Sequence, residues 1–285
     1  MGGHQMRRKG QSLDFRDFEH YVPGDDVRHV DWRASARLGR REDLLVRHYT
    51  AEEQLTLVVS VDTRPSMLFP EAMSKLQIAA WLAEAVASVA LSSDDKVVLH
   101  RLFGASSGSL INLRGSQSAG RVRSILRRFA EHQDATTLNA KPLATSLPPT
   151  SVWLILTDLY FDTEAQSKTL ARKIALAQEG LCWVILVDLD SWPCERIFLG
   201  EGARRIEGPG LDETQNRFEI TEENLTSVET RIRDHKHRFF DLVRRASCDW
   251  VPWLWPGELE PEPETFFRSR FLGDKVIQRL FMKDQ

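Results

Sequence analysis

From Leu55 onward the apolar positions fall into a repeating order of short continuous runs followed by longer segments at helical spacing. LTLVVSV (Leu55–Val61) is a β-branched run that ends in Asp62 and predicts a strand. A helix is expected from about Glu71 to Leu91, because Leu76, Ala79, Leu82, Ala83, Val86 and Ala90 share one face. Lys96–Phe103 and Ser109–Leu113 read as two strands joined through the small and polar turn Gly104–Gly108, forming a hairpin at a sheet edge. Val122, Ile125, Leu126 and Phe129 then recur at helical spacing within an arginine-rich surface helix.

The second half repeats the unit. Val152–Asp158 and Leu181–Asp188 are almost wholly apolar, as parallel strands covered on both faces must be. Between them Glu164–Glu179 reads as a crossover helix stopped by Gly180. Gly, Pro and charge dominate 200–220, where ARRIEG and NRFEIT alternate enough to predict an inserted hairpin. Thr221 caps a helix running to about Ala246, and Asp249–Trp255 is a strand that Pro252 places at an edge. Pro256–Pro263 is a linker, and Thr265–Phe281 a last helix.

Strands alternating with helices across short connections define a doubly wound, mainly parallel α/β domain over 51–285, preceded by a charged segment over 1–50. Ligands of such sheets bind beyond the carboxyl ends of the strands, where this chain places Asp62, Ser66, Thr157, Asp158 and Asp188. The glycine-rich fingerprints of dinucleotide and P-loop sites and the nucleophile elbow of α/β hydrolases do not occur.

Composition narrows the function classes. Lys plus Arg at 38 against Asp plus Glu at 41 leaves a formal charge of -3, so no global field attracts nucleic acid. The basic helix RVRSILRR (Arg121–Arg128) stands without aromatic stacking partners, and no nucleic-acid partner is expected. Cys182, Cys194 and Cys248 have neither disulfide nor metal-ligand spacing, which suits a reducing compartment. The first residues carry basic side chains with no apolar run behind them, and the apolar stretch Ile78–Leu91 contains Glu84 and Ser88. A cytoplasmic location is expected.

Asp62 and Ser66, close in sequence in a loop that opens a helix, converge with Asp158 and with hydroxyls at Thr136 and Thr137. Hard oxygen donors of this kind suit magnesium, although the same short side chains also cap helices. The run DTRPSM, a later TTL and a TD closing a buried strand resemble the von Willebrand factor A fold and its metal-ion-dependent adhesion site, whose pattern is DxSxS, then Thr, then Asp. That resemblance implies Asp62, Ser66, Thr137 and Asp158 as the ligand set. Arg64 replaces the first serine of the pattern, and a guanidinium cannot ligate a cation. Arg64 is therefore expected to dock on a carboxylate of the set and to leave magnesium or manganese weakly bound at best.

YVPGDDVRHVDWRASAR, LLVRHYTAEE and the later DLDSWPCERIFLGEGARRIEG are similar to the bacterial family of domain of unknown function 58 over about Leu13–Trp253. The resemblance implies a non-enzymatic adaptor that partners a MoxR-type AAA+ ATPase acting on a client protein, sometimes at the cell envelope.

The charged stretch itself has three readings. Asp25, Asp26, Arg28, Asp31, Arg33 and Arg37 mix signs at short spacing, as groups do when they pair, and Trp32 supplies an apolar group to bury; together they predict a clasp packed on the main domain. The same side chains, with Arg64, are the expected contacts if the segment meets a partner. Alternatively, Asp25, Asp26 and Asp31, or the strand-end aspartates, hold magnesium in a hydrolase or nuclease.

Overall fold

The computed structural model describes residues 14–22, 25–37, 44–50, 55–103, 110–131, 151–161, 163–201, 205–207, 217–244, 246–255 and 262–280. Its contacts divide the chain into two units, Met1–Gln54 and Leu55–Gln285.

In the first unit, β1 (Asp14–His20), α1 (Trp32–Arg37) and β2 (Leu45–Thr50) surround a single 3-10 turn at Val27–His29. β1 and β2 pair antiparallel, and Val30 bridges to Val46. Val30 and Val46 are the buried apolar side chains of this unit among the described residues.

The second unit follows the order predicted from its periodicity: β3 (Thr56–Val61), α2 (Lys75–Ser92), β4 (Lys96–Arg101), β5 (Leu110–Leu113), α3 (Ala119–Ala130), β6 (Ser151–Thr157), α4 (Glu164–Glu179) and β7 (Trp183–Asp190). After these come α5 (Trp192–Glu201), β8 (Arg205–Glu207), β9 (Arg217–Glu219), α6 (Glu222–Arg244), β10 (Asp249–Leu254), α7 (Pro263–Gly273) and α8 (Lys275–Arg279). A six-stranded sheet runs in the order β10-β7-β6-β3-β4-β5, parallel except for the edge hairpin β4–β5. β8 and β9 form the inserted antiparallel pair. The last helix differs from expectation. Asp274 breaks it in two and accepts from Val276 and Ile277 as the cap of α8.

Alternate strand residues feed two cores. Leu57, Val59, Val61, Leu154 and Val187 face α2, α3 and α7, whereas Val58, Trp153, Ile155 and Leu186 face α4 and α6. Each strand is apolar on both faces because each face is covered. Glu71–Ser92 is long and apolar enough to cross a membrane, yet within this unit its apolar face lies on the sheet. β10 closes one edge of the sheet with Pro252 exposed, and the Leu254 carbonyl accepts from Arg270 Nη2 at 2.9 Å.

The winding fixes where a site can form. The chain leaves β3 for α2 on one face and leaves β6 for α4 on the other, and β3 and β6 are neighbours. Departing connections that diverge in this way open a crevice at the carboxyl ends of the two strands. Asp62 and Asp158 stand there.

Candidate functional site

Asp62 and Asp158 are fully buried, and one side chain occupies the space between them. Arg64 Nη2 donates to Asp62 Oδ2 at 2.7 Å and to Asp158 Oδ1 at 3.2 Å. Its Nε donates to Asp62 Oδ1 at 3.1 Å, and Nη1 to the Tyr160 carbonyl at 2.7 Å. The guanidinium is only 3% exposed and lies over Phe103 at 4.2 Å and Phe161 at 5.3 Å from the ring centres. A planar fork with five donors can pair with Asp62 through two parallel bonds and still reach a second carboxylate and a carbonyl, more bonds than the three donors of an ammonium allow.

The loops are shaped to hold these groups. Thr157 Oγ1 donates to Asp62 Oδ2 at 2.8 Å and accepts from the Leu159 N–H, while Asp158 Oδ1 accepts from the Tyr160 N–H at 3.0 Å. Leu159 has φ of 60°, a left-handed conformation uncommon for a side chain of this size, and it is completely buried. Strain of this kind persists where the surroundings over-determine it.

A second cation completes the cluster. Lys75 opens α2, where the helix dipole disfavours positive charge. It is nonetheless buried, because Nζ donates to Asp158 Oδ2 at 3.1 Å and to Glu195 Oε1 at 3.0 Å. Glu195 also accepts from Ser191 Oγ. Further along the strand ends, Lys236 of α6 bridges Asp188 and Asp190 at 2.8 Å each. The Tyr160 ring lies between the two lysines, 4.5 Å from Lys75 Nζ and 5.4 Å from Lys236 Nζ, and its hydroxyl donates to Asp190.

The two central carboxylates are shifted in opposite directions because Lys75 acts on Asp158. Burial pushes the Asp62 carboxyl above its ordinary value although Arg64 pulls against it. Burial acts on Asp158 in the same sense, but Lys75 and then Arg64 hold it below the usual carboxylate range. Asp188 is pushed up to about 6, burial outweighing the attraction of Lys236. Burial opposes the charge on Lys236 too, yet Asp188 and Asp190 keep it above the ordinary lysine value. Burial with the nearby Glu195 and Asp190 carboxylates holds the Tyr160 phenol protonated.

Of the ligand set implied by the resemblance, Asp62 and Asp158 do meet. Ser66 Oγ is enclosed beside Asp158 and helps to hold that carboxyl down. Thr137 lies outside the described residues. The residues present do not fit a divalent cation, because the carboxylates that would coordinate it already accept from Arg64 and Lys75. Among the described residues no group of three or more His, Cys, Asp or Glu is placed to hold a metal.

The charged stretch near the N-terminus makes local hydrogen bonds. Its carboxylates serve backbone N–H groups: Asp25 accepts from Val22, Asp26 from Arg28, and Asp31 from Arg33 and Ala34. Asp31 thereby caps α1. Arg28, Arg33 and Arg37 are exposed, and Trp32, expected to be buried, is 65% exposed. Within this unit Ser35 of α1 and the preceding Val30 turn inward, and Trp32 projects from another side of the helix.

Lys75, Tyr160, Asp190, Glu195 and Lys236 are members of the site that sequence reasoning missed. Lys75 carries a usable signal as the lone basic residue of an otherwise apolar helix. Lys236 carries none, since Arg231, Arg233 and Arg238 surround it in the sequence.

The model of the family described as protein of unknown function DUF58 matches residues 17–175, more than half of the chain, and the chain belongs to that family. No curated protein matches it. Among solved structures it is similar to the conserved hypothetical protein BatB from Bacteroides thetaiotaomicron, at 14% identity and a TM-score of 0.42 over 77% of this chain and 100% of that one. It is also similar to the TFIIH p34 N-terminal domain, at 11% identity and a TM-score of 0.38 over 77% of this chain and 97% of that one.

Proposed function

We propose that this chain is a non-enzymatic protein-interaction adaptor of the von Willebrand factor A type, acting in the cytoplasm with a MoxR-type AAA+ ATPase on a client protein. One observation carries the reading: fixed cations hold the strand-end carboxylates, so the crevice presents a rigid, internally neutralised surface rather than an acid, a base or a metal-activated water. A hydrolase or nuclease needs a carboxylate within hydrogen-bond reach of its substrate, and Asp62 and Asp158 are enclosed.

The rim of the crevice supports the same reading. Leu68, Ile197 and Phe198 are exposed at 41%, 39% and 58%, and Phe198 packs against Phe69 with ring centres 5.2 Å apart. Apolar side chains gathered around a rigid centre are the usual core of a protein interface. The free thiols of Cys182, Cys194 and Cys248 favour a reducing compartment.

Capture from native lysate, read by mass spectrometry, tests the proposal. The parent chain should enrich an AAA+ ATPase, and Phe198→Glu should lose it while melting at the same temperature. Failure to enrich any such ATPase, or a hydrolytic activity of the purified chain that disappears in Asp62→Asn, would overturn the reading.

A further inference from the structure

Beside the ion cluster, a cavity of about 360 Å³ opens between the loop after β6 and one side of α6. Leu159, Tyr160 and Phe161 form one wall; Arg231, His235 and Arg238 lie along the other. The wall is rigid. Phe161 contacts Phe103, Phe239 and His235 at ring distances of 6.2, 5.7 and 5.9 Å, and Tyr160 is held through its carbonyl by Arg64 and through its hydroxyl by Asp190.

The opposite wall is basic and unsatisfied. Arg231 and Arg238 are exposed and make no ion pair among the described residues. Glu164, the acidic group that faces Arg238 and His235, is already paired with Lys168 at 3.0 Å. His235 Nε2 is enclosed, with no hydrogen-bond partner among the described residues.

Spacing selects the partner. Arg231 and Arg238 are seven residues apart on one helix, about 10 Å along its axis, so the two guanidinium groups can engage two separate carboxylates. In polyproline II geometry, with three residues per turn and about 3.1 Å per residue, side chains three positions apart project on the same side about 9 Å apart.

We propose that this cavity docks an acidic, extended segment of a partner protein. Two carboxylates three positions apart engage Arg231 and Arg238, and an apolar side chain between them rests on Phe161. The proposal deepens the adaptor reading and rests on it.

The probe is a short fluorescent peptide containing Glu-Pro-Leu-Glu, titrated into the full chain and followed by anisotropy, with its Gln-Pro-Leu-Gln counterpart as control. Saturable binding is expected, about tenfold weaker for the glutamine peptide and for Arg231→Glu or Arg238→Glu. The doubly reversed chain should instead bind Lys-Pro-Leu-Lys. Both arginines are exposed, so the variants should keep the parent's melting temperature; Arg231→Gln and Arg238→Gln serve as milder variants.

Absence of saturable binding to the parent, binding indifferent to the arginines, or tighter binding of oligothymidylate or inorganic phosphate would each overturn the proposal. Repeating the lysate capture with the double variant separates the two claims. An ATPase still captured by a parent that ignores the peptide removes the pocket and leaves the adaptor. Peptide binding without ATPase capture removes the adaptor and leaves the pocket.

Discussion

Two regions of this chain are dense in Asp and Arg, and they use these residues in opposite ways. Between Asp25 and Arg37 the partners lie two to four residues apart, the groups are exposed or half-buried, and the carboxylates accept from backbone N–H groups of their own turn. At the strand ends Arg64 reaches Asp158 and Lys75 reaches Glu195, 94 and 120 residues apart, and these charges leave water together. Charge that is crowded in sequence is cheap to solvate; charge gathered by the fold must be matched group by group.

The sharpest way to break that contrast is Arg64→Ala. Two buried carboxylates would lose their shared cation, with an expected cost of about 3–5 kcal/mol in urea denaturation. An unchanged midpoint would mean that Asp62 and Asp158 are hydrated after all. In Arg64→Ser the missing hydroxyl of the adhesion pattern returns, and magnesium should then raise the melting temperature of the variant while leaving the parent's unmoved. Titration calorimetry on both proteins checks this directly.

Acid sensitivity should be next in size. His100 is buried in β4 beneath the second core, where Ser60 Oγ and Trp153 Nε1 form a chain with its Nδ1 at 2.8 Å per link. Burial, with Lys173 and Arg101 nearby, pushes its pKa down to about 3 from 6.5. Neutral His100 is fully favourable above pH 6.5; below it the unfolded chain takes up a proton that the fold refuses until about 3, and stability falls by about 1.4 kcal/mol per pH unit. Asp188 works in the opposite sense: the fold keeps its proton up to about 6 while the unfolded chain releases it near 3.8, so stability falls as pH rises between those values. Asp188→Asn should therefore steepen the acid loss within that window, and His100→Asn should flatten or reverse it. Urea midpoints across the window decide, and parallel profiles for all three proteins would refute both assignments.

The smallest effects belong to the local region. Asp31→Ala removes the cap of α1 and should cost about 1 kcal/mol. Arg33→Ala, at an exposed position, should stay within about 0.5 kcal/mol. Thermal unfolding of the pair would expose a hidden tertiary role for the segment if either loss reached the size expected for Arg64→Ala.

What could be read in the sequence follows the same division. Strands and helices of the second unit were legible because Val58, Leu154 and Val187 lie in continuous apolar runs and Leu82, Val86 and Ala90 keep helical period, signals carried entirely by neighbours. The meeting of Asp62 with Asp158 and the docking of Arg64 followed from strand order and from the chemistry of a guanidinium. Lys75, Glu195 and Lys236 were hidden because the ion-pair partners lie 46 to 120 residues away. The helix Trp192–Glu201 was missed as well, since its mixed composition has little apolar period. Trp32 is 65% exposed while Val30 and Ser35 are buried, and composition alone does not say which side of so short an element turns inward.

The edge strand β10 bears on how this protein behaves when crowded. Trp255 N–H donates inward to the Asp190 carbonyl, so by alternation the backbone of Pro252 and Leu254 faces the open side. Proline offers no donor there, and Arg270 already claims the Leu254 carbonyl. A stray strand from another molecule would find the template interrupted at two successive outward positions, which blocks the route by which open sheets polymerise into fibrils. Selective association is thereby left to side chains rather than to the indiscriminate stickiness of bare backbone.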